Sequence, residues 1–271
     1  MEGYRRDLQS LIRAGDIPVG SISHAHLIAT REDEVLRRHL TPATLNRQMC
    51  GWRRFLRWTR DTGLITGDPA QGIAPMRLPR KQPRIPPDQV VLQLLESLRG
   101  DGLVNVRDRA MVAVTLYCAL RRIEVIRMTL PDVDLEAQTL LVRGKGAKER
   151  TVWFNGDVTG PLSEWLAIRP HAGSDAVWLT EAGEPLSREG WANRFRVLRK
   201  RAGVDLPSVA LHRLRAARAT ALARALPLPV VQRLLGHSNI ATTMRYVGVT
   251  DADLMRAAEV PQFSGTGSEK K

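Results

Sequence analysis

Apolar positions along this chain recur at helical spacing almost from end to end, with a single switch to strand-like alternation near the middle. The clearest helical stretch is "TPATLNRQMCGWRRFLRWTRDTG", residues 41–63. Thr41 is a side-chain cap, Pro42 suits the first helical position, and Gly63 stops the helix. Leu45, Met49, Trp52, Phe55, Leu56 and Thr59 share one face, while Arg47, Arg53, Arg54, Arg57 and Arg60 share the opposite one. Shorter helices are expected over 2–14 and 23–38.

Further on, "PPDQVVLQLLESLRG" reads as an amphipathic helix and "NVRDRAMVAVTLYCALRRIEVIRM" as a longer, mostly buried one. The period then changes. "TLLV" and "TVWF" are β-prone, and "RGKGAKER" between them is a glycine-containing turn, so a hairpin with Lys145 near its tip is predicted. "GPLSEWLAI", "SREGWANRFRVLRKRAG", "HRLRAARATALARAL", "PLPVVQRLLG" and "ATTMRYVGV" return to helical patterns with loop punctuation. "DADLMRAAEVPQ" reads as a short final helix, and the tail "SGTGSEKK" is polar.

The fold class expected from this order is mainly α with a small β-hairpin. A break separates two domains. Six of the sixteen prolines fall in "DPAQGIAPMRLPRKQPRIPP", where neither helix nor sheet can continue. The predicted division is an N-terminal helical domain over 1–74, a linker over 75–87, a second domain over 88–263 and a tail over 264–271.

Composition alters the picture mainly through charge. The 271 residues carry 41 basic and 28 acidic side chains, a net +13, and 35 of the basic residues are arginine. The arginine preference also fits a GC-rich genome, but that does not account for the excess of positive charge. A polyanion partner, nucleic acid first among them, is expected. On the helix over 41–63, Arg47, Arg54 and Arg57 become candidate DNA contacts. On the linker, Arg77, Arg80, Lys81 and Arg84 form a basic strap that can follow a phosphate backbone. No window approaches the roughly 18 apolar residues of a membrane span, the N-terminus "MEGYRRDLQSL" is charged, and the two cysteines make no ligand pattern. A cytoplasmic protein without a membrane partner is expected.

Candidate chemistry is sparse. Arg121 and Glu124 stand three apart on one predicted buried helix, which alone reads as a structural ion pair. Lys145 between two glycines alone reads as a solvated turn lysine. His212 and Arg215 share a helical face one turn apart, a weak signal alone. His237 precedes Tyr246, one of three tyrosines, by nine residues. His24, His26, His39 and His171 lack partners at metal-ligand spacing, and neither a nucleotide-binding GxxxxGK[ST] loop nor a GxSxG elbow is present. No metal site and no cofactor are expected.

Taken in order, "ALRRIEV", "VRGKGAKERTVWF", "LHRLRAARATALA" and "LLGHSNIATTMRYV" resemble the tyrosine recombinase (phage integrase) family, and within it the Xer-type site-specific recombinases. "YRRDL" and "GLITGDPAQGI" resemble that family's N-terminal DNA-clamping domain. The resemblance implies a helical, SAM-like core-binding domain followed by an α+β catalytic domain. It implies that Arg121, Lys145, His212, Arg215 and His237 form an active site around the nucleophile Tyr246, with Glu124 orienting Arg121. Lys148 becomes a backbone or positioning contact, and Arg122 is set aside as the neighbour of the first arginine. The implied reaction cleaves and rejoins DNA through a 3′-phosphotyrosine link, without ATP or metal. The implied partners are a double-stranded recombination site and either further copies of the chain, as a tetramer on DNA, or a paralogous recombinase.

The chain departs from the family pattern in four places. Ala119 stands where glycine is usual. Arg122 and Ile123 replace the usual "IS" or "VS" after the arginine. Ala216 replaces a second histidine, and the chain begins later than is usual, which fits either a shortened first helix or a trimmed chain. A type IB topoisomerase and a DNA-binding protein without catalysis are the competing readings.

Overall fold

The computed structural model describes residues 2–13, 17–78, 85–144, 148–171, 173–204, 206 and 209–247. They form two compact units, Met1–Lys81 and Gln82–Lys271.

The first unit is three helices, α1 (Glu2–Arg13), α2 (His24–Leu36) and α3 (Pro42–Asp61). α3 begins as its sequence dictates. The Thr41 hydroxyl accepts from the Thr44 amide, and Pro42 fills the first turn, where its missing N–H costs nothing. Leu45, Met49, Trp52 and Leu56 are buried on one face, against Leu11 and Leu27 of α1 and α2. α1 comes close because Gly51 has no side chain: a Cβ there would stand 2.9 Å from that of Asp7. The Trp52 indole N–H then donates to the Asp7 carbonyl and the Ser10 hydroxyl, both at 2.9 Å. The chain after this helix runs back along it. Asn46 exchanges two hydrogen bonds of 2.8 Å with the Met76 backbone, and Arg53 donates to the Ile73 carbonyl.

The second unit is built on α5 (Leu103–Tyr117), surrounded by α4 (Asp88–Glu96), α7 (Gly156–Ile168), α8 (Arg188–Arg201) and α9 (Leu211–Ala225). α5 is buried along nearly its whole length from Val106 to Leu116, which explains its lack of a polar face. Even its charged pair is internal. Asp108 accepts from Arg107 at 2.9 Å and from Arg194 of α8, and Arg107 donates to the Leu179 carbonyl at 2.9 Å. Tryptophans supply much of the core volume. Trp165 and Trp178 stack with centroids 6.5 Å apart, and the Trp178 indole pins the Val125 carbonyl at 2.7 Å.

Three antiparallel strands, β1 (Val133–Asp134), β2 (Thr139–Arg143) and β3 (Glu149–Trp153), pair in that order, with Leu140 opposite Val152 and Val142 opposite Arg150. The predicted hairpin is β2–β3; β1 adds a strand too short to leave a periodicity.

The long helix predicted through "NVRDRAMVAVTLYCALRRIEVIRM" is two helices. α5 ends at Tyr117, and α6 (Arg122–Ile126) begins after a sharp turn. Ala119 sits at φ +50°, a left-handed conformation that a helix cannot contain. Arg121 is therefore the residue capping α6, and not a helical partner of Glu124. The last elements are α10 (Leu228–Leu235), α11 (Ile240–Thr243) and a 3₁₀ turn, Met244–Tyr246. The stretch "ATTMRYVGV", expected to be helical throughout, tightens before the tyrosine. The predicted final helix and polar tail lie outside the described residues.

Candidate active site

Glu124 is the centre of the site. Its side chain is 3% exposed, and its two oxygens accept from the Arg121 backbone N–H at 2.8 Å, Arg121 Nη1 at 2.7 Å, and Arg150 Nη1 and Nη2 at 3.1 and 2.9 Å. Arg215 Nη1 lies 3.6 Å away. Burial by itself would raise the carboxyl pKa, but hydrogen bonds from Arg150 and from Arg121 outweigh it and hold the group below its ordinary value. A carboxylate that is ionised at neutral pH thus faces three guanidinium groups.

Those three differ in what they leave available. Arg121 is 41% exposed and reaches the Gly236 carbonyl only at 3.5 Å, so much of its fork faces outward. Arg215 is 7% exposed and heavily committed. It donates to the Ala119 carbonyl, to the Leu235 carbonyl at 2.8 Å, and to His237 Nε2 at 3.2 Å. Burial first, then the neighbouring Arg121, pull its pKa down to about 10, still charged at neutral pH. The left-handed turn at Ala119 is what aims that carbonyl at Arg215.

Arg150 was not singled out from the sequence, and it joins three elements. From β3 it grips Glu124 with both terminal nitrogens, and its Nε donates to the Leu234 carbonyl at 2.9 Å. A signal for it existed. Arg150 stands opposite Val142, a buried position, so the strand alternation turns an arginine inward, where it needs a carboxylate.

The turn "LLGH" follows from the same contacts. Gly236 ends α10 at φ +63°, and a Cβ there would lie 3.0 Å from Arg150 Nη1, so glycine is required twice over. The turn fixes His237. Its N–H donates to the Gln232 carbonyl at 3.1 Å, and its own carbonyl accepts from Gln232 Nε2 at 3.0 Å.

The His237 ring is held on three sides. Nε2 faces an arginine N–H, so it carries the lone pair. Nδ1 then carries the proton and donates to Thr243 Oγ1 at 2.9 Å. Thr243 is fully buried and is a second residue that the sequence reading did not identify. Burial, then Arg215, Arg121 and Arg150, push the His237 pKa down to about 4, so the ring is neutral at pH 7. In this arrangement its Nε2 has no proton to give.

Tyr246 stacks on that ring, with centroids 6.2 Å apart and planes at 20°. It also packs against a small buried cluster of Ala119, Ala219, Val231 and Leu235. His212 lies apart, exposed in the first turn of α9. It lines a cavity of about 500 Å³ together with Arg121 and Arg122. Partial burial, then Arg213 and Arg122, lower its pKa, so it is a base rather than a cation at neutral pH.

The structure therefore brings Arg121, Glu124, Arg215, His237 and Tyr246 into one constellation, and joins His212 to it through Arg121. Lys145 lies outside the described residues, as do Arg80, Lys81 and Arg84. Lys148 is exposed, and its carbonyl accepts from the Gly144 N–H at 2.7 Å, closing the hairpin. On the first unit Arg54, Arg57 and Arg77 are exposed, whereas Arg47 is also ion-paired with Asp7 at 2.5 Å. Among the described residues no group of three or more His, Cys, Asp or Glu could hold a metal ion, and no helix is long and apolar enough to cross a membrane.

Comparison with known proteins decides the family. The model of the phage integrase family matches residues 84–253. The chain belongs to the phage integrase family. It is 33% identical to the tyrosine recombinase XerC of Lactobacillus delbrueckii subsp. bulgaricus over 218 residues, 78% of this chain and 74% of that one. The XerC of Yersinia pestis is 32% identical over 264 residues, covering 95% of this chain and 85% of its own. Among solved structures, a XerH site-specific recombinase bound to its difH substrate, a pre-cleavage complex, superposes with a TM-score of 0.72. It is 21% identical and covers 90% of this chain and 72% of that one. The chain is thus a tyrosine recombinase, an enzyme of the class that cleaves and rejoins DNA, with a mostly helical fold and a small antiparallel sheet.

Proposed function

We propose that this recombinase breaks one strand of a DNA recombination site with Tyr246 and reseals it to a strand of a second duplex, without a nucleotide or metal cofactor. The observation that carries the reading is the placement of Tyr246 against the neutral His237 ring, which itself bonds the buried Arg215. Three segments distant in sequence meet there around Glu124.

The tyrosine oxygen attacks phosphorus, and an oxygen–phosphorus bond forms as the bond to the 5′-oxygen breaks. Arg121, the more exposed guanidinium, grips one non-bridging oxygen. Arg215 stabilises the charge from beneath and holds His237 in place. A phenol has a pKa of about 10, so its proton must leave; the neutral His212 ring is suited to take it. The departing 5′-oxygen needs a proton, and Lys145 is the residue assigned to give it. The 3′-phosphotyrosyl link stores the energy of the broken bond, so a second strand's 5′-hydroxyl reverses the chemistry without ATP.

The wider reading includes the positive face of the first unit, with Arg54, Arg57 and Arg77 on the duplex backbone and Arg80, Lys81 and Arg84 continuing along it. Lys148 supports the hairpin that carries Lys145. Strand exchange requires several copies on two duplexes, whether four of this chain or a mixture with a paralogue.

The test is a covalent adduct. Incubated with nicked duplexes and run on a denaturing gel, the protein should retain labelled DNA, and Tyr246→Phe should retain none. An adduct that persists in Tyr246→Phe overturns the reading. Relaxation of supercoils without strand exchange would select a topoisomerase instead.

A further inference from the structure

Arg122 is the departure from the family pattern that the site described above does not use. It opens α6 beside Arg121, and it forms no hydrogen bond or ion pair among the described residues. Both arginines line the cavity of about 500 Å³, and Arg188, Arg196, Arg199 and His212 line it with them. No carboxylate is in that lining. Two carboxylates stand behind the lining: Glu124, bonded to Arg121 at 2.7 Å, and the exposed Glu189, which accepts from Arg188 at 2.9 Å and whose carboxyl is lowered first by Arg188 and, last, by Arg122. Arg196 bonds Asn193 at 3.1 Å, and Arg199 holds the Leu206 and Val209 carbonyls, so these two are anchored in place.

A concave surface lined by five guanidinium groups favours an anion, even with Arg121 paired to Glu124 and Arg188 to Glu189 outside the lining. The first turns of α8 and α9 also border it through Arg188, Leu211 and His212, and a helix N-terminus favours an anion. Its volume exceeds what one phosphate group occupies and suits a nucleotide unit of a strand. Arg121 belongs to both the cavity and the Glu124 cluster, so the two sites share a wall.

We propose that this cavity is a second phosphate subsite, in which Arg122, with Arg188 and Arg196, binds the backbone phosphate next to the one that Tyr246 attacks. The inference rests on the proposed cleavage reaction for the position of that phosphate, but not for the binding itself. The subsite gives this chain a grip on the strand that the usual isoleucine or valine at position 122 cannot supply.

Two measurements on the full chain test it. The first is binding to a random-sequence duplex as a function of salt. Replacing Arg122→Ile should flatten the slope of log affinity against log salt by about 0.9, one lost phosphate contact, and Arg122→Lys should largely restore it. A structural role would leave the slope unchanged. The second uses duplexes of a site recovered from trapped adducts, each with one neutral methylphosphonate. In wild-type protein, neutralising the adjacent phosphate should slow adduct formation about tenfold, the worth of one charged hydrogen bond. Arg122→Ile should be about as slow on ordinary DNA and lose nothing more at that position. Losses that multiply, or an unchanged salt slope, overturn the proposal. A changed base preference in the trapped sites with an unchanged slope also overturns it, in favour of base recognition. If wild-type protein forms no adduct with any DNA, the cleavage reading fails, while the salt slope still decides the subsite.

Discussion

On α3 the arginines stand outside. Arg54 and Arg57 face solvent, and Arg47 reaches across to one aspartate on α1. Around Glu124 the arginines turn inward: Arg150 is 12% exposed, Arg215 7%, and both converge on a carboxylate that is itself buried. The residue type is the same and the physics is opposite. An exposed guanidinium keeps its hydration and contributes long-range attraction to a polyanion. A buried one must be matched bond for bond, and in return it holds its neighbours at fixed positions. The exposed arginines of α3 act as charge, those around Glu124 as scaffold.

Removing the common carboxylate is the harshest test of that contrast. Glu124→Gln leaves Arg150 and Arg215 facing each other uncompensated. It should cost about 3–5 kcal/mol of the second unit's stability, read by denaturant unfolding. A loss below about 1 kcal/mol, the range of a surface pair, would show that these arginines do not depend on Glu124. Acid probes the same cluster more gently. The His237 pKa is about 4 in the folded chain against about 6.5 in an unfolded one. The unfolded chain therefore binds the proton first, so this contribution is intact above about pH 6.5 and lost as pH falls toward 4. Melting temperature should drop through that window, and His237→Gln should flatten the drop; an unchanged profile in that variant would refute the assignment.

The contrast also governs what a sequence discloses. α3 was legible because its cap, its apolar stripe and its arginine face lie within one continuous stretch, so local periodicity and capping settle it. The residues of the site were legible only through their order and through resemblance. What no periodicity revealed was their mutual geometry. The break at Ala119 was missed because alanine is the best helix former and nothing local signals φ +50°; the Arg215 bond to its carbonyl holds it there. Arg150 was missed because its partner, Glu124, is 26 residues away. Thr243 was missed because a threonine on a short helix says nothing until its histidine folds over it.

Smaller effects sharpen the outer side of the comparison. Arg57→Ala should change stability by less than about 0.5 kcal/mol yet flatten the salt dependence of DNA binding by about 0.9. No change in that slope would remove Arg57 from the interface. Ala119→Gly should also change stability little. Relief of about 1–2 kcal/mol of left-handed strain is opposed by the lost burial of one methyl, about 0.8 kcal/mol, and by about 0.5–1 kcal/mol of added chain entropy. The net should fall within about 1 kcal/mol of zero, and a destabilisation above 2 kcal/mol would mean that the methyl matters to the Tyr246 cluster more than burial alone allows.

The central claim is that the scaffold around Glu124 exists to present one tyrosine to a phosphate. It is tested most directly by digesting the protein–DNA adduct and sequencing the linked peptide by mass spectrometry. A nucleotide attached through phosphate to Tyr246, and absent from Tyr246→Phe, is the predicted result. Attachment at Tyr117, or at any residue other than Tyr246, would contradict it.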